Sequence, residues 1–220
     1  MIFLFFYLFI FAILFFFVIT LIFIPYGFTV YSLITLITVP QQIINIAKNK
    51  AIRRNHALEH ATINVLEKYA GGRLPLSGLA QKNGFIISGT QDPDLVVEAA
   101  QEGLNLLKKG ECQLAIHRNC GTSIAIANFI AALLFLIFLI QTGHFSIFAI
   151  VIALLLANLL GPYLGKFTQK YFTTSCDVED LEITGIEPKY RNEGSYNLLL
   201  DHMPQGYFIR TSKVKVISDM

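Results

Sequence analysis

Two long stretches of this chain contain no charged side chain, and each is followed by a polar segment. No Asp, Glu, Lys or Arg occurs within residues 1–47 or within residues 120–165. Both stretches consist largely of Phe, Leu, Ile and Ala, and uncharged apolar runs of this length are typical of segments buried in lipid. We therefore expect two membrane segments, with polar segments at 48–119 and 166–220.

The apolar stretches divide into four candidate membrane spans. Each is close to the roughly 20 residues that a helix needs to cross hydrocarbon, although Thr, Ser and Pro40 weaken the second. The spans are 2–24, 28–46, 123–140 and 145–164. Pro25-Tyr26-Gly27 predicts a turn in the first stretch, and residues 141–144 predict one in the second. The first span lacks the features of a cleaved signal peptide, so we expect it to remain as an anchor.

The positively charged side chains next to the spans predict the orientation. They follow the second and fourth spans, whereas the two predicted turns carry no formal charge: Lys48, Lys50, Arg53, Arg54, Lys166 and Lys170. Because Lys and Arg favour the cytoplasmic side, both polar segments are expected there. If 28–46 only lies in the interface, the N-terminus moves to the opposite side, but the polar segments stay cytoplasmic.

The polar segments carry the signals of a small α/β unit. Asn55 is a plausible N-cap for a helix that reaches Tyr69 and ends at Gly71-Gly72. Further elements are expected as strands at 85–87, 113–117, 181–186 and 207–217 and as a helix at 92–109. The predicted fold class is a membrane α-helical protein. About four transmembrane helices form two hairpins, at 1–47 and 120–165, with a cytoplasmic α/β segment at 48–119 and a β-rich tail at 166–220.

Composition and charge narrow the function classes. The chain is 54% hydrophobic and 15% charged, with a net charge of +2, and it has no aromatic-basic platform, so a nucleic-acid partner is not expected. The lipid bilayer is the expected partner.

The three cysteines lie in predicted cytoplasmic parts, where thiols stay reduced. Metal ligation or simple burial is therefore favoured over disulfides. An acidic run at 177–182 is expected to be a solvated face, and His144 and His202 to be surface residues.

A polar stripe on the first predicted cytoplasmic helix holds the most informative cluster. His56 and His60 are four residues apart, so their side chains lie one turn apart on the same face. Two imidazoles at this spacing can reach one ion, and the order H-x-x-E-H, completed by Glu59, is that of the inverted zinc motif. Asn64 and Glu67 continue the stripe, and Glu67 is a rival ligand or a partner of a ligand. A solvated helix face is the alternative.

A second pair of candidate ligands precedes the third span. His117 and Cys120 are three residues apart, a spacing that can hold one ion. Thr122 or Ser123 is the expected N-cap of the span, and the nearby helix N-terminus favours a Cys120 thiolate. The alternative is a surface histidine and a small buried cysteine. Because two such pairs each lie beside a membrane junction, a shared metal site is favoured.

The two motifs together resemble a known family. HALEHATI followed by HRNCGTS and a hydrophobic hairpin is similar to the YqhQ-type family of uncharacterised bacterial membrane proteins, and the arrangement looks closest to a related cyanobacterial membrane family of unknown function. The resemblance covers about residues 54–165. It implies a bacterial plasma membrane or cyanobacterial thylakoid protein and a metal-dependent enzyme whose metal-site residues match His56, Glu59, His60, His117 and Cys120.

The number of ligands separates two functions. If His56, His60, His117 and Cys120 all bind zinc, the site is closed and structural, which is typical of a scaffold or assembly factor that contacts a membrane protein partner. If three bind, a position stays open for water and Glu59 is a candidate base, as in a hydrolase of a peptide or lipid substrate.

Pitrilysin-type peptidases share HxxEH but need a glutamate ligand roughly seventy to eighty residues downstream. No Glu occurs between 111 and 179, so that assignment is rejected. Transport is disfavoured because the spans lack charged side chains.

Overall fold

A computed structural model describes residues 2–90, 92–190 and 205–214. The chain divides into two compact units. The first consists of Met1–Gln41 and Ile124–Leu164, and the second of Gln42–Ser123 and Gly165–Met220. The apolar stretches supply most of the first unit, and the second contains every candidate metal-site residue.

The first apolar stretch is one continuous helix, α1, Ile2–Ala47. The predicted turn at Pro25-Tyr26-Gly27, and with it the first hairpin, is therefore wrong. A helix satisfies its own backbone groups, and apolar surroundings favour it strongly enough to tolerate an internal proline. The Thr29 hydroxyl donates a hydrogen bond to the carbonyl of Pro25 at 2.7 Å.

The second apolar stretch forms the predicted hairpin. Helices α4, Gly121–Thr142, and α5, Ile147–Thr168, are joined by residues 143–146. Gly161 makes the close approach possible, since a Cβ atom there would lie 2.7 Å from the Cβ atom of Ala127. In the part of the chain that is described, three helices are long and apolar enough to cross a membrane: α1, α4 and α5 with the turn that follows it. The chain thus has the helices of a membrane protein.

The second unit contains two amphipathic helices. Helix α2, Lys50–Tyr69, begins earlier than predicted because the side chain of Asn49 accepts the Ile52 amide at 3.2 Å and caps it. Asn55 is therefore not the N-cap. It is buried, with its Nδ2 atom donating to the Gln81 carbonyl at 2.7 Å. Helix α3, Pro93–Lys108, confirms the helix predicted at 92–109, and the side chain of Asp92 caps it.

A four-stranded antiparallel sheet completes this unit. Its strands are β1, Ser77–Gln81, β2, Gly84–Ser88, β3, Leu181–Lys189, and β4, Gly206–Lys213, in the order β1-β2-β4-β3. The predicted strands at 85–87 and 181–186 are confirmed, as is the last strand up to 213, while residues 215–217 lie outside the described part. β1 was not expected. The segment predicted as a strand at 113–117 instead begins with a 3-10 turn, Cys112–Ala115.

The helices and the sheet share one hydrophobic core. Leu58 on α2, Leu104 on α3 and Phe85 on β2 are almost completely buried within it. Gly103 brings the helices close together, since a Cβ atom there would lie 3.1 Å from the carbonyl carbon of Ala61. Because α2 is covered on most of its sides, its polar stripe is buried at His56 and His60 and half-buried at Asn64 and Glu67, rather than solvated.

Three further expectations concern individual side chains. The acidic run is not simply a solvated face, since Asp177 and Asp180 form ion pairs with the buried Arg54 guanidinium at 2.9 and 2.7 Å. Cys112 and Cys176 form a disulfide, which corrects the expectation of reduced or metal-bound thiols. The sequence could not indicate this pair because its members are 64 residues apart. His144 is exposed as expected, and His202 lies outside the described residues.

Candidate metal centre

Three buried side chains from two distant parts of the chain converge on one point. His56 and His60 come from adjacent turns of α2, and Cys120 immediately precedes α4. One donor atom of each lies within 4.8 Å of the others. The Nε2 atom of His56 is 3.3 Å from the Cys120 sulfur. The group could therefore hold a metal ion.

Backbone carbonyls orient both imidazoles. The Nδ1 atom of His56 lies 2.9 Å from the Thr173 carbonyl oxygen, and that of His60 lies 2.7 Å from the Ala115 carbonyl oxygen. A carbonyl can only accept, so each Nδ1 carries the proton and each Nε2 presents a lone pair to the cluster. This arrangement is usual for histidines that bind metals.

The Nε2 atom of His60 supports the fit of a metal ion. It is buried and has no hydrogen-bond partner within the described residues, and a buried acceptor without a partner costs free energy. The side chain of His60 is only 1% exposed, and burial lowers its pKa. A neutral imidazole with a free lone pair is the form that coordinates a cation.

The surroundings of Cys120 favour the anionic thiolate form of its side chain. Its sulfur accepts the Thr122 amide at 3.3 Å, so the sulfur interacts with the start of α4 in place of the predicted Thr122 or Ser123 cap. Burial raises the pKa of the thiol, but the neighbouring His60 side chain and the Thr122 amide outweigh it, and the pKa lies below its ordinary value. The thiolate is the form that binds metals.

Glu59 lies next to this group without belonging to it. The carboxylate is buried and accepts a hydrogen bond from the backbone of Ala80, and its charge interacts with His56 and Cys120. Burial raises its pKa to about 8. Gly78 on β1 lies over the carboxylate, in a place where a Cβ atom would collide with it.

His117 lies beside the group rather than within it. Its ring centroid is 6.0 Å from that of His60, and its Nε2 atom lies 3.4 Å from the Glu67 carboxylate. The structure thus brings three of the four predicted ligands together, with His117 and Glu67 as a neighbouring pair. Glu67 contacts a candidate ligand, which is one of the two roles expected for it.

Gln169 holds the segment that carries His117 and Cys120, a role that was not predicted from the sequence. It lies in a π-helical turn, Gln169–Thr173, directly after α5. Its Oε1 atom accepts the His117 amide at 2.9 Å, and its Nε2 atom donates to the His117 carbonyl at 3.1 Å and the Ser123 hydroxyl at 2.7 Å. The signal available in the sequence was an amide side chain close to the end of an apolar stretch.

Asn64 holds the preceding segment in the same way. Its Nδ2 atom donates to the Leu114 carbonyl at 2.9 Å and to the Ile116 carbonyl at 3.3 Å. The polar stripe on α2 therefore has two functions, since its histidines face the cluster and Asn64 fixes the chain that leads to Cys120. The stripe itself was visible in the sequence, but its hydrogen-bond partners were not.

Comparisons with known proteins identify the family of this chain. An uncharacterised protein of Picosynechococcus sp. is 33% identical over 136 residues, which cover 56% of this chain and 66% of that protein. The aligned part is just under two thirds of the relative's length, and its organism agrees with the expected cyanobacterial relationship. No solved structure matches the chain. The family model described as a domain of unknown function (DUF6391) matches residues 51–186, more than half of the chain and all of the candidate site. The chain therefore belongs to this DUF6391 family.

Proposed function

We propose that this protein is a zinc-dependent hydrolase at the cytoplasmic membrane surface, with His56, His60 and Cys120 as ligands and Glu59 as the base. The observation that supports it most is the position of Glu59. Its carboxylate interacts with His56 and Cys120 but is not one of the three converging donors. A three-ligand site with a free carboxylate beside it is the arrangement of catalytic zinc sites.

The side chains have separate tasks in this proposal. A bound zinc ion would supply a Lewis acid that makes water a nucleophile near neutral pH, and its charge would favour the ionised form of a nearby carboxylate. Glu59 accepts the proton of the attacking water and returns it to the leaving group. A pKa of about 8 in the surrounding protein keeps its affinity for protons in the range useful for such a transfer.

Metal analysis and cobalt spectroscopy test the proposal without a known substrate. Purified wild-type protein should contain one zinc ion per chain, and His60→Ala and Cys120→Ala should each lose it. In the cobalt-substituted protein, acetohydroxamate should change the visible spectrum because an open position accepts an outside ligand. Glu59→Gln should keep the metal and the hydroxamate response. Equal metal in all variants, or no metal in the wild type, would refute the site.

A structural zinc site is the second candidate, and burial favours it. His56 and Cys120 are 7% exposed, and an ion between them would connect α2 with the residues that begin α4. His117 is then the proposed fourth ligand. In that case His117→Ala should lose the metal, hydroxamate should leave the cobalt spectrum unchanged, and metal removal should unfold the second unit. The hydrolase proposal requires the opposite result for hydroxamate.

The cytoplasmic location of the polar segments is part of the proposal. The lysines and arginines that follow α1 and α5 support it, whereas the Cys112–Cys176 disulfide is of a kind more usual in oxidising compartments. The resemblance to the YqhQ-type family supports a plasma or thylakoid membrane. A fluorescent protein fused after residue 220 should fold and fluoresce, whereas alkaline phosphatase at the same place should be inactive. The reverse pattern would contradict this orientation.

A further inference from the structure

A polar cavity of about 400 Å³ lies beside the candidate metal centre. His117 forms part of its wall, and the ring of His117 is 6.0 Å from that of His60. Asn64, Asn119 and Gln113 also line it. The cavity therefore offers hydrogen-bonding groups within a small molecule's length of the candidate ligands.

The charge around this cavity is strongly positive. Arg73, Arg118 and Lys166 line it, and all three side chains are exposed without an ion-pair partner among the described residues. The one acidic side chain in the lining, Glu67, is already in contact with His117. Three unpaired cations beside hydrogen-bonding amides suit a compact anion, and the guanidinium groups match the geometry of phosphate oxygens.

The cavity also lies where two apolar helices end. Arg118 precedes the start of α4 by three residues, and Lys166 is in the last turn of α5. These two helix ends adjoin, since a Cβ atom on Gly165 would collide with the Ser123 side chain. Cations at the ends of membrane helices lie at the depth of lipid headgroups. A phosphate group could reach the cavity either on a lipid or on a soluble molecule.

We propose that this cavity binds a phosphate group, held by Arg73, Arg118 and Lys166. A statement about the substrate rests on the proposed hydrolase function. If that function is correct, the substrate carries a phosphate that is anchored in the cavity while its scissile bond extends past His117. The binding of phosphate itself does not depend on catalysis. It requires only the three cations and the space between them.

The test uses the full chain in a neutral detergent. Inorganic phosphate is titrated while the thermal unfolding midpoint is followed, because a ligand that binds the folded state raises the midpoint. In parallel, native mass spectrometry counts bound phosphatidylglycerol and, for comparison, phosphatidylcholine. Arg118→Gln and Lys166→Gln should each weaken binding about tenfold or more, because each removes a charged hydrogen bond to the anion. Lys170→Gln is the matched control, since Lys170 follows α5 but does not line the cavity.

The outcomes separate the sources of phosphate and the two proposals. Binding of inorganic phosphate identifies the group itself as the ligand, whereas selective retention of phosphatidylglycerol alone identifies a lipid headgroup. Binding that is unchanged in Arg118→Gln and Lys166→Gln, equal losses in Lys170→Gln, or no binding of either probe would overturn the cavity proposal. The cobalt and hydroxamate experiment is independent of these results, so failure of the hydrolase proposal would be recognised separately.

Discussion

Gly78 of β1 lies directly over the side chain of Glu59, and the Glu59 carboxylate occupies the space that a Cβ atom at position 78 would need. The two residues are 19 positions apart in the chain, and only the packing of β1 against α2 brings them together. A glycine is needed here for room and not for an unusual backbone conformation.

We expect Gly78→Ala to displace the Glu59 carboxylate. The added methyl group should cost about 1–3 kcal/mol of stability, which is the usual effect of overpacking a tightly packed site. The metal content should stay at the wild-type level because Glu59 is not among the three converging donors. Gly185→Ala is the control, since a Cβ atom on this strand glycine meets nothing within 4 Å. Equal unfolding midpoints for the two variants would contradict the contact.

The stability of metal-free protein should fall as the pH rises towards 8. Burial raises the pKa of Glu59 to about 8, whereas a glutamate in an unfolded chain titrates near about 4.3. Between these values the folded state holds one proton more than the unfolded state, so stability decreases by up to about 1.4 kcal/mol per pH unit. The stabilisation from the protonated Glu59 side chain is complete below the pKa of the unfolded state and is lost as the pH rises through the pKa of the folded state.

Glu59→Gln should remove this dependence because glutamine does not titrate. Thermal unfolding of metal-free wild type and Glu59→Gln, followed from pH 5 to pH 8.5, provides the comparison. Groups distant from Glu59 titrate equally in both proteins, so the difference between the two curves reports Glu59 together with His56 and Cys120, with which its charge interacts. Parallel curves would mean that the carboxylate is not held in a buried environment.

Gln169→Leu should weaken metal binding although Gln169 is not a candidate ligand. The substitution leaves the His117 amide and carbonyl without their partners, which should cost about 1–3 kcal/mol, and it releases the segment that carries Cys120. By analogy with other residues that orient ligands, affinity should fall about 10- to 100-fold in a competition assay with a coloured chelator. Gln101→Leu, at an exposed position on α3, should leave the affinity unchanged. An equal affinity in both variants would show that Gln169 does not position the site.

Thiol counting should distinguish Cys120 from the other two cysteines. The Cα atoms of Cys112 and Cys176 are 5.6 Å apart, within the normal range for a disulfide. Alkylation of oxidised, metal-free, denatured protein should therefore label Cys120 alone, and reduction should expose all three thiols. Cys176→Ser should destabilise the oxidised protein by about 2–4 kcal/mol, since the bond closes a long loop. Three reactive thiols before reduction would rule out the pair.

The sequence alone identified the elements that depend on local pattern. The apolar lengths indicated membrane helices, and the H-x-x-E-H spacing placed His56 and His60 on one face, because helical periodicity is a property of neighbouring residues. The helix caps were not identified in this way, since the caps predicted at Asn55 and at Thr122 or Ser123 differ from those in the structure. The continuity of α1 was not, since Pro25 and Gly27 are breakers in water but are tolerated in an apolar helix.

The tertiary structure decided which distant groups meet. Cys120 lies next to His56 and His60, His117 contacts Glu67, and Cys112 pairs with Cys176. None of these contacts could be predicted from the spacing of residues along the chain. The same holds for the carbonyls of Thr173 and Ala115, which orient the imidazoles although a backbone carbonyl has no sequence signature. The sequence thus determined which residues could bind a metal ion, and the packing of α2 against the segments at 112–120 and 169–176 decided which donors converge and which carboxylate remains beside them.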